Sequence, residues 1–190
     1  PTYSLYNNDR IHPKYIKHDW YITCAAWTWL DNKTKKVGKV HSSKVSDFVN
    51  YLEDFRDDLG VVEELREAMS EADLIIGHNS DKFDLRKINY RAIKHGLDSL
   101  VLPPTVDTIK VARKYMKSSS NSLYFLAKEF DVSMKDDLPA GVMHKADEGC
   151  SKSLERLVKY CRADVKAGAE LYYKMLPYIH NHPDMRQILG

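Results

Sequence analysis

Asp84 and Asp164 are carboxylates placed where a helix or strand end could aim both at one point. Asp84 closes the segment GHNSDKFD, residues 77–84, and Asp164 closes YCRAD, residues 160–164. Converging carboxylates offer the hard oxygen ligands that Mg²⁺ or Mn²⁺ prefers. A pair of such ions can activate a water and steady the leaving oxygen of a phosphodiester.

Each residue also has a purely structural explanation, and the two differ in strength. Asp81 could serve as a helix N-cap with Asp84 at N3, imitating a capping box. A carboxylate in a first helical turn also suits the helix dipole. Asp164 is harder to account for in this way. Leu154, Leu157, Val158, Cys161, Val165, Ala169 and Tyr172 trace an apolar helical stripe, with Asp164 at its edge. Its neighbours at three and four residues are Tyr160, Cys161, Ala167 and Gly168, none a cation, so no local helix ion pair is available. A carboxylate at a buried edge needs a balancing group, either a distant Lys or Arg or a metal ion. Tyr160 shares its face and can present a hydroxyl to the same point.

The elements that would position these residues follow from periodicity. Residues 20–30 (WYITCAAWTWL) are apolar at both parities, as expected of a strand covered on both sides. A turn over 31–34 and a more polar strand over 36–42 complete an antiparallel hairpin. Helical patterns follow over 45–55 and 61–70, then a short buried strand over 73–77 and a helix over 81–95 ended by Gly96. A brief strand at 105–108 leads into a helix over 109–116, and another helix spans 122–130. Residues 133–149 read as irregular, and a long helix runs over 153–178. A hairpin followed by strand–helix alternation implies an α/β three-layer domain with a mixed sheet. Such sheets place ligands beyond the carboxyl ends of their strands, where residues 79–84 fall.

The 190 residues are expected to form a single domain, with 1–19 an N-terminal segment and 179–190 a tail. His180 and His182 in that tail read as solvated. No apolar run reaches the length of a membrane span. Three scattered cysteines, Cys24, Cys150 and Cys161, argue against a disulfide framework and a zinc site, and suggest a reducing, cytoplasmic setting. The net charge of +2 says little about nucleic acid, but its distribution says more. Residues 53–73 are acidic, whereas Lys110, Arg113, Lys114 and Lys117 recur at the spacing of one helix face. Such a stripe can grip phosphates, or be a solvated helix face.

IIGHNSDKFDL (75–85) and YCRAD followed by Val165 are together similar to the second and third motifs of the DEDD superfamily of 3′–5′ exonucleases. These have a ribonuclease H-like fold, and the group with Tyr in the third motif, related to the proofreading domain of B-family DNA polymerases, is the nearest. TVDT around Asp107 and NSLYFLAKEF from Asn121 stand where that family has its next strand and helix. The resemblance covers roughly residues 15–178. It implies a metal-dependent 3′–5′ exonuclease using two Mg²⁺ or Mn²⁺ ions on DNA, with a single-stranded 3′ end as substrate and a polymerase or replication partner possible. It makes Asp84 and Asp164 metal ligands and gives Tyr160 the orientation of the attacking water. Asn79 would fix the loop or contact the terminal nucleotide, Phe83 would pack or stack near it, and His78 is a further substrate-side candidate. The chain departs from the family at the Asp-x-Glu pair of the first strand. Asp9 has no Glu two residues on, so the pair is expected before Pro1 in the intact protein. The alternatives are a nuclease-like domain that binds nucleic acid or a partner without cutting, and an exonuclease acting on RNA.

Overall fold

The computed structural model describes residues 18–132 and 138–183. The hairpin forms as expected: β1 (Cys24–Asp31) pairs antiparallel with β2 (Lys36–Lys44), with a register shift between Thr28 and Leu30. The side chain of Asp31 closes its turn. Oδ1 accepts the N–H groups of Lys33 (2.9 Å) and Thr34 (3.2 Å), and Oδ2 accepts the Thr34 hydroxyl (2.6 Å).

The segment after β2 does not form the expected helix over 45–55. It makes two short 3₁₀ turns, Val45–Asp47 and Val49–Leu52, and leaves Val49 and Leu52 largely exposed. Helix α1 (Leu59–Glu71) then leads to β3 (Ile75–Gly77), α2 (Asp84–Lys94) and β4 (Thr105–Asp107), which pairs parallel with β3. Helices α3 (Thr108–Tyr115) and α4 (Leu123–Glu129) follow, the latter capped by the Ser122 hydroxyl. A helix that periodicity missed, α5 (Val142–Asp147), starts after Gly141, whose φ of +81° is costly for residues with a Cβ. The long helix α6 runs over Ser151–Met175 and tightens into a 3₁₀ turn at Leu176–Tyr178.

The strands do not merge into the expected mixed sheet. Among the described residues they make two separate two-stranded sheets, β1–β2 and β3–β4. β1 and β3 each therefore have one edge with no strand partner among those residues. The apolar residues of β1 are mostly half-buried instead of covered on both sides. Helix α6 links the pieces. Its N-terminal half packs Leu154 and Leu157 with Val45, Val61 and Ala146, and its C-terminal half packs Leu171, Tyr172 and Met175 with Val106, Val111 and Leu126. A third cluster, Met69, Leu85 and Ile88, joins α1 to α2.

The tail is not solvated as expected. His180 is exposed with its ring edge on Tyr115, but His182 is 4% exposed and pairs with the Tyr172 hydroxyl at 2.7 Å. Asp9 lies outside the described residues.

Candidate active site

The loop between β3 and α2 holds the first carboxylate in place. A Cβ on Gly77 would lie 2.4 Å from the Cβ and Oγ of Ser80, so only glycine permits this tight exit from β3. Asn79 adopts a left-handed φ of +65°, and its N–H donates to Asp107 Oδ1 at 2.7 Å. Asp107 is 4% exposed at the end of β4 and also caps α3 by accepting from the Ile109 N–H. His78 is anchored at both ring nitrogens, Nε2 to the Asn121 carbonyl (3.0 Å) and Nδ1 to the Thr108 hydroxyl (2.9 Å). Burial lowers its pKa, against the hydrogen bond to the Asn121 carbonyl and the charge of Asp107. In this arrangement His78 fixes the loop and has no ring nitrogen to spare.

The capping-box explanation of Asp84 does not hold. Phe83 occupies the N-cap of α2, with no side-chain cap, and Asp84 is the first helical residue. Asp81 instead pairs with Lys110 at 2.5 Å. Asp84 lies at the surface, yet protein packed about its carboxyl pushes its pKa up. The charge of Asp107 pushes in the same direction, while Lys87 opposes it.

Asp164 sits in α6, half-buried, and desolvation lifts its carboxyl to about 6, against a hydrogen bond from Tyr160 that lowers it. Tyr160, one helical turn earlier, thus acts on Asp164. Both carboxylates also exert their fields on the Cys161 thiol. That thiol lies 3.7 Å from Cys24 Sγ, a contact that lowers the Cys161 pKa and raises that of Cys24. Asp84 stands at the start of α2 and Asp164 in the middle of α6; both act on Cys161, while neither contributes to the other's shift.

The donor chemistry here fits a hard divalent cation. Two carboxylates hold charge at a cost, and in the adjoining loop and strand end Ser80 Oγ, Asp81 Oδ1 and Asp107 Oδ2 are buried without a hydrogen-bond partner among the described residues. A second acidic group, Asp57, Asp58 and His95, has ligand atoms within 4.8 Å of one another. It already has a cation. Asp58 is fully buried and accepts from Arg91 Nε (3.0 Å), Arg91 Nη2 (2.5 Å), His95 Nε2 (2.6 Å) and the Ile22 N–H (2.7 Å). Sequence reasoning placed Asp107 in its strand but missed this network and the hydrogen bonds that Asp107 accepts. An acidic residue before an amphipathic helix was the only signal for either.

The basic stripe is only partly realised. Lys110, Arg113 and Lys114 are exposed on α3, but Lys117 lies past its end at Tyr115. Lys110 is engaged by Asp81, and the charge of Arg113 reaches His78. Phe83 is 46% exposed beside Asp84.

A family model described as RNase_H superfamily matches residues 34–176. The chain is also 31% identical over 74 residues to a DNA polymerase III PolC-type from Ureaplasma parvum serovar 3. That alignment covers 39% of this chain and 5% of the much longer relative. Among the described residues no helix is long and apolar enough to cross a membrane.

Proposed function

We propose, starting from the fact that the chain belongs to the RNase H superfamily, that it is a metal-dependent 3′–5′ exonuclease of the Tyr-containing DEDD type, acting on single-stranded 3′ ends of DNA. The observation that carries this reading is Asp164. It is a carboxylate lifted to about 6, hydrogen-bonded to Tyr160 one turn earlier, with its field converging with that of Asp84 on Cys161. A carboxylate raised by burial with so little counter-charge is a functional-site candidate.

In this account Asp84 and Asp164 hold Mg²⁺ or Mn²⁺, which when bound supplies the positive charge that activates a water and stabilises a leaving oxygen. Tyr160 both steadies the ionised form of Asp164 and directs its hydroxyl toward the attacking water. Asn79 fixes the loop through its backbone, and Phe83 offers a ring to the terminal base. Arg113 and Lys114, with Lys110 and Lys117 flanking them, receive the phosphates of the strand. The PolC-type relative makes a replicative polymerase the natural partner class.

The division into two small sheets among the described residues favours a second reading, a nuclease-like domain that binds without cutting. One experiment separates them. The protein is incubated with Mg²⁺ and single-stranded DNA labelled at either end. The exonuclease reading expects 5′-labelled strands to shorten one nucleotide at a time, and Asp164→Ala to slow this by at least about a hundredfold, or about 3 kcal/mol of barrier. Unchanged cleavage in that variant would remove the assignment. Binding without cleavage, restored to cleavage by an added Asp-x-Glu strand, would make the present chain one half of the site.

A further inference from the structure

Helix α2 carries a second feature beside Asp84. Phe83, Lys87 and Tyr90 lie at i, i+4 and i+7, one stripe on the side away from the buried Leu85, Ile88 and Ala92. Phe83 is 46% and Tyr90 43% exposed. Trp20, from the segment before β1, completes the stripe. Its ring centroid is 5.0 Å from that of Tyr90, and Lys87 Nζ lies 4.9 Å from the Trp20 ring and 4.0 Å from the Phe83 ring. The ammonium thus sits between two aromatic faces, with a third ring beyond.

Trp20 is held by its own backbone. Its N–H donates to Asp19 Oδ1 at 2.8 Å, and its carbonyl accepts from Arg91 Nη1 at 3.2 Å. The Tyr90 hydroxyl donates to the other oxygen of Asp19. Burial lowers the pKa of Lys87, and Asp84 acts in the opposite sense. Rings fixed before a ligand arrives lose little entropy on binding.

We propose that Phe83, Lys87, Trp20 and Tyr90 form a stacking platform for the unpaired nucleotides of single-stranded DNA next to the reacting end. The proposal rests on the exonuclease reading for its direction, since it places the strand's end at Asp84, but its chemistry stands by itself. Bases stack on aromatic faces whatever their sequence, and a lysine between the rings meets the backbone phosphates. From Phe83 to Tyr90 the helix rises about 10 Å, room for about three nucleotides at 3.4 Å each. The acidic alternative ligand, a carboxylate-rich peptide, would find one cation and three rings, a poorer match than alternating bases and phosphates.

The test uses the whole chain with Trp27→Phe and Trp29→Phe, which leaves Trp20 as the sole tryptophan. A twelve-nucleotide oligothymidylate is titrated in with metal chelated, so that nothing is cut. Saturable quenching of Trp20 emission is expected. Trp20→Ala and Tyr90→Ala, each followed by anisotropy of a labelled oligomer, should weaken binding by about five- to a hundredfold. Lys87→Gln should lower the salt slope by about one. Should Trp20→Ala melt early, the exposed Tyr90→Ala and Tyr90→Phe pair decides, with Phe restoring affinity. Oligomer affinity indifferent to both aromatic positions, or no quenching, overturns the platform. Cleavage is scored separately. Strand binding through these rings without cleavage would refute the nuclease and leave the platform, whereas 3′ trimming with unaltered binding in the variants would do the reverse.

Discussion

Asp58 and Asp164 are carboxylates that the chain treats in opposite ways. Asp58 is fully buried and meets an arginine, a histidine and a backbone N–H. Asp164 is half-buried, meets the hydroxyl of Tyr160, and is lifted to about 6. The first arrangement ties the start of α1 to α2 and to the segment preceding β1. Its charge is balanced within the protein, so it has nothing left to offer a ligand. The second leaves a negative charge undercompensated at the surface. Proximity of acidic side chains therefore does not by itself mark a metal site, and the supply of counter-charge separates the two.

The sharpest way to break this comparison is to remove each carboxylate. Asp58→Ala strands Arg91 in the interior and should destabilise the fold by about 3–5 kcal/mol in a denaturant titration. Asp164→Asn should do the opposite. For an acid whose folded pKa is raised, stability falls as pH rises from the unfolded value to the folded one and stays reduced above it. The cost is absent below about pH 4, grows between about pH 4 and 6, and is complete above about 6. The shift from 3.8 to about 6 corresponds to at most about 3 kcal/mol, and solvent screening at a half-exposed carboxyl brings it near 1 kcal/mol. Asp164→Asn should thus be more stable than the parent by about 1 kcal/mol at pH 8 and equal to it at pH 4. A destabilised variant at pH 8 would mean that Asp164 has a structural partner after all. Smaller still is Tyr160→Phe. Loss of its hydrogen bond should raise the Asp164 pKa further, read from the carboxyl carbon resonance, with less than about 1 kcal/mol of stability lost.

Much of this was legible in the sequence because the relevant signals were local. The hairpin was readable from apolar residues at both parities followed by DNKT, and α6 from a stripe of 3.6-residue period. The Tyr160–Asp164 partnership followed from a four-residue spacing on that helix. What failed to read was tertiary. The 3₁₀ turns at Val45–Asp47 and Val49–Leu52 carry helical periodicity but leave Val49 and Leu52 facing solvent. Helix α5 has six residues, too few for a periodic pattern, and is set by Gly141. Asp81 resembled an N-cap until Lys110, distant in sequence, claimed it. His182 resembled a tail residue because its partner, Tyr172, lies inside α6. The Asp58–Arg91–His95 network joins residues more than thirty positions apart, and no spacing rule reaches across that distance.

The central claim is that the undercompensated pair Asp84 and Asp164, and not the balanced Asp57–Asp58–His95 group, receives the divalent cation. Thermal unfolding with increasing Mg²⁺ or Mn²⁺ at pH 8 tests it directly. The parent should gain a few degrees at ten to a hundred times the dissociation constant, about 1–3 kcal/mol. Asp164→Asn should gain none, and His95→Gln, although less stable at the outset, should keep the full increment. An undiminished increment in Asp164→Asn, or its loss in His95→Gln, would contradict the account.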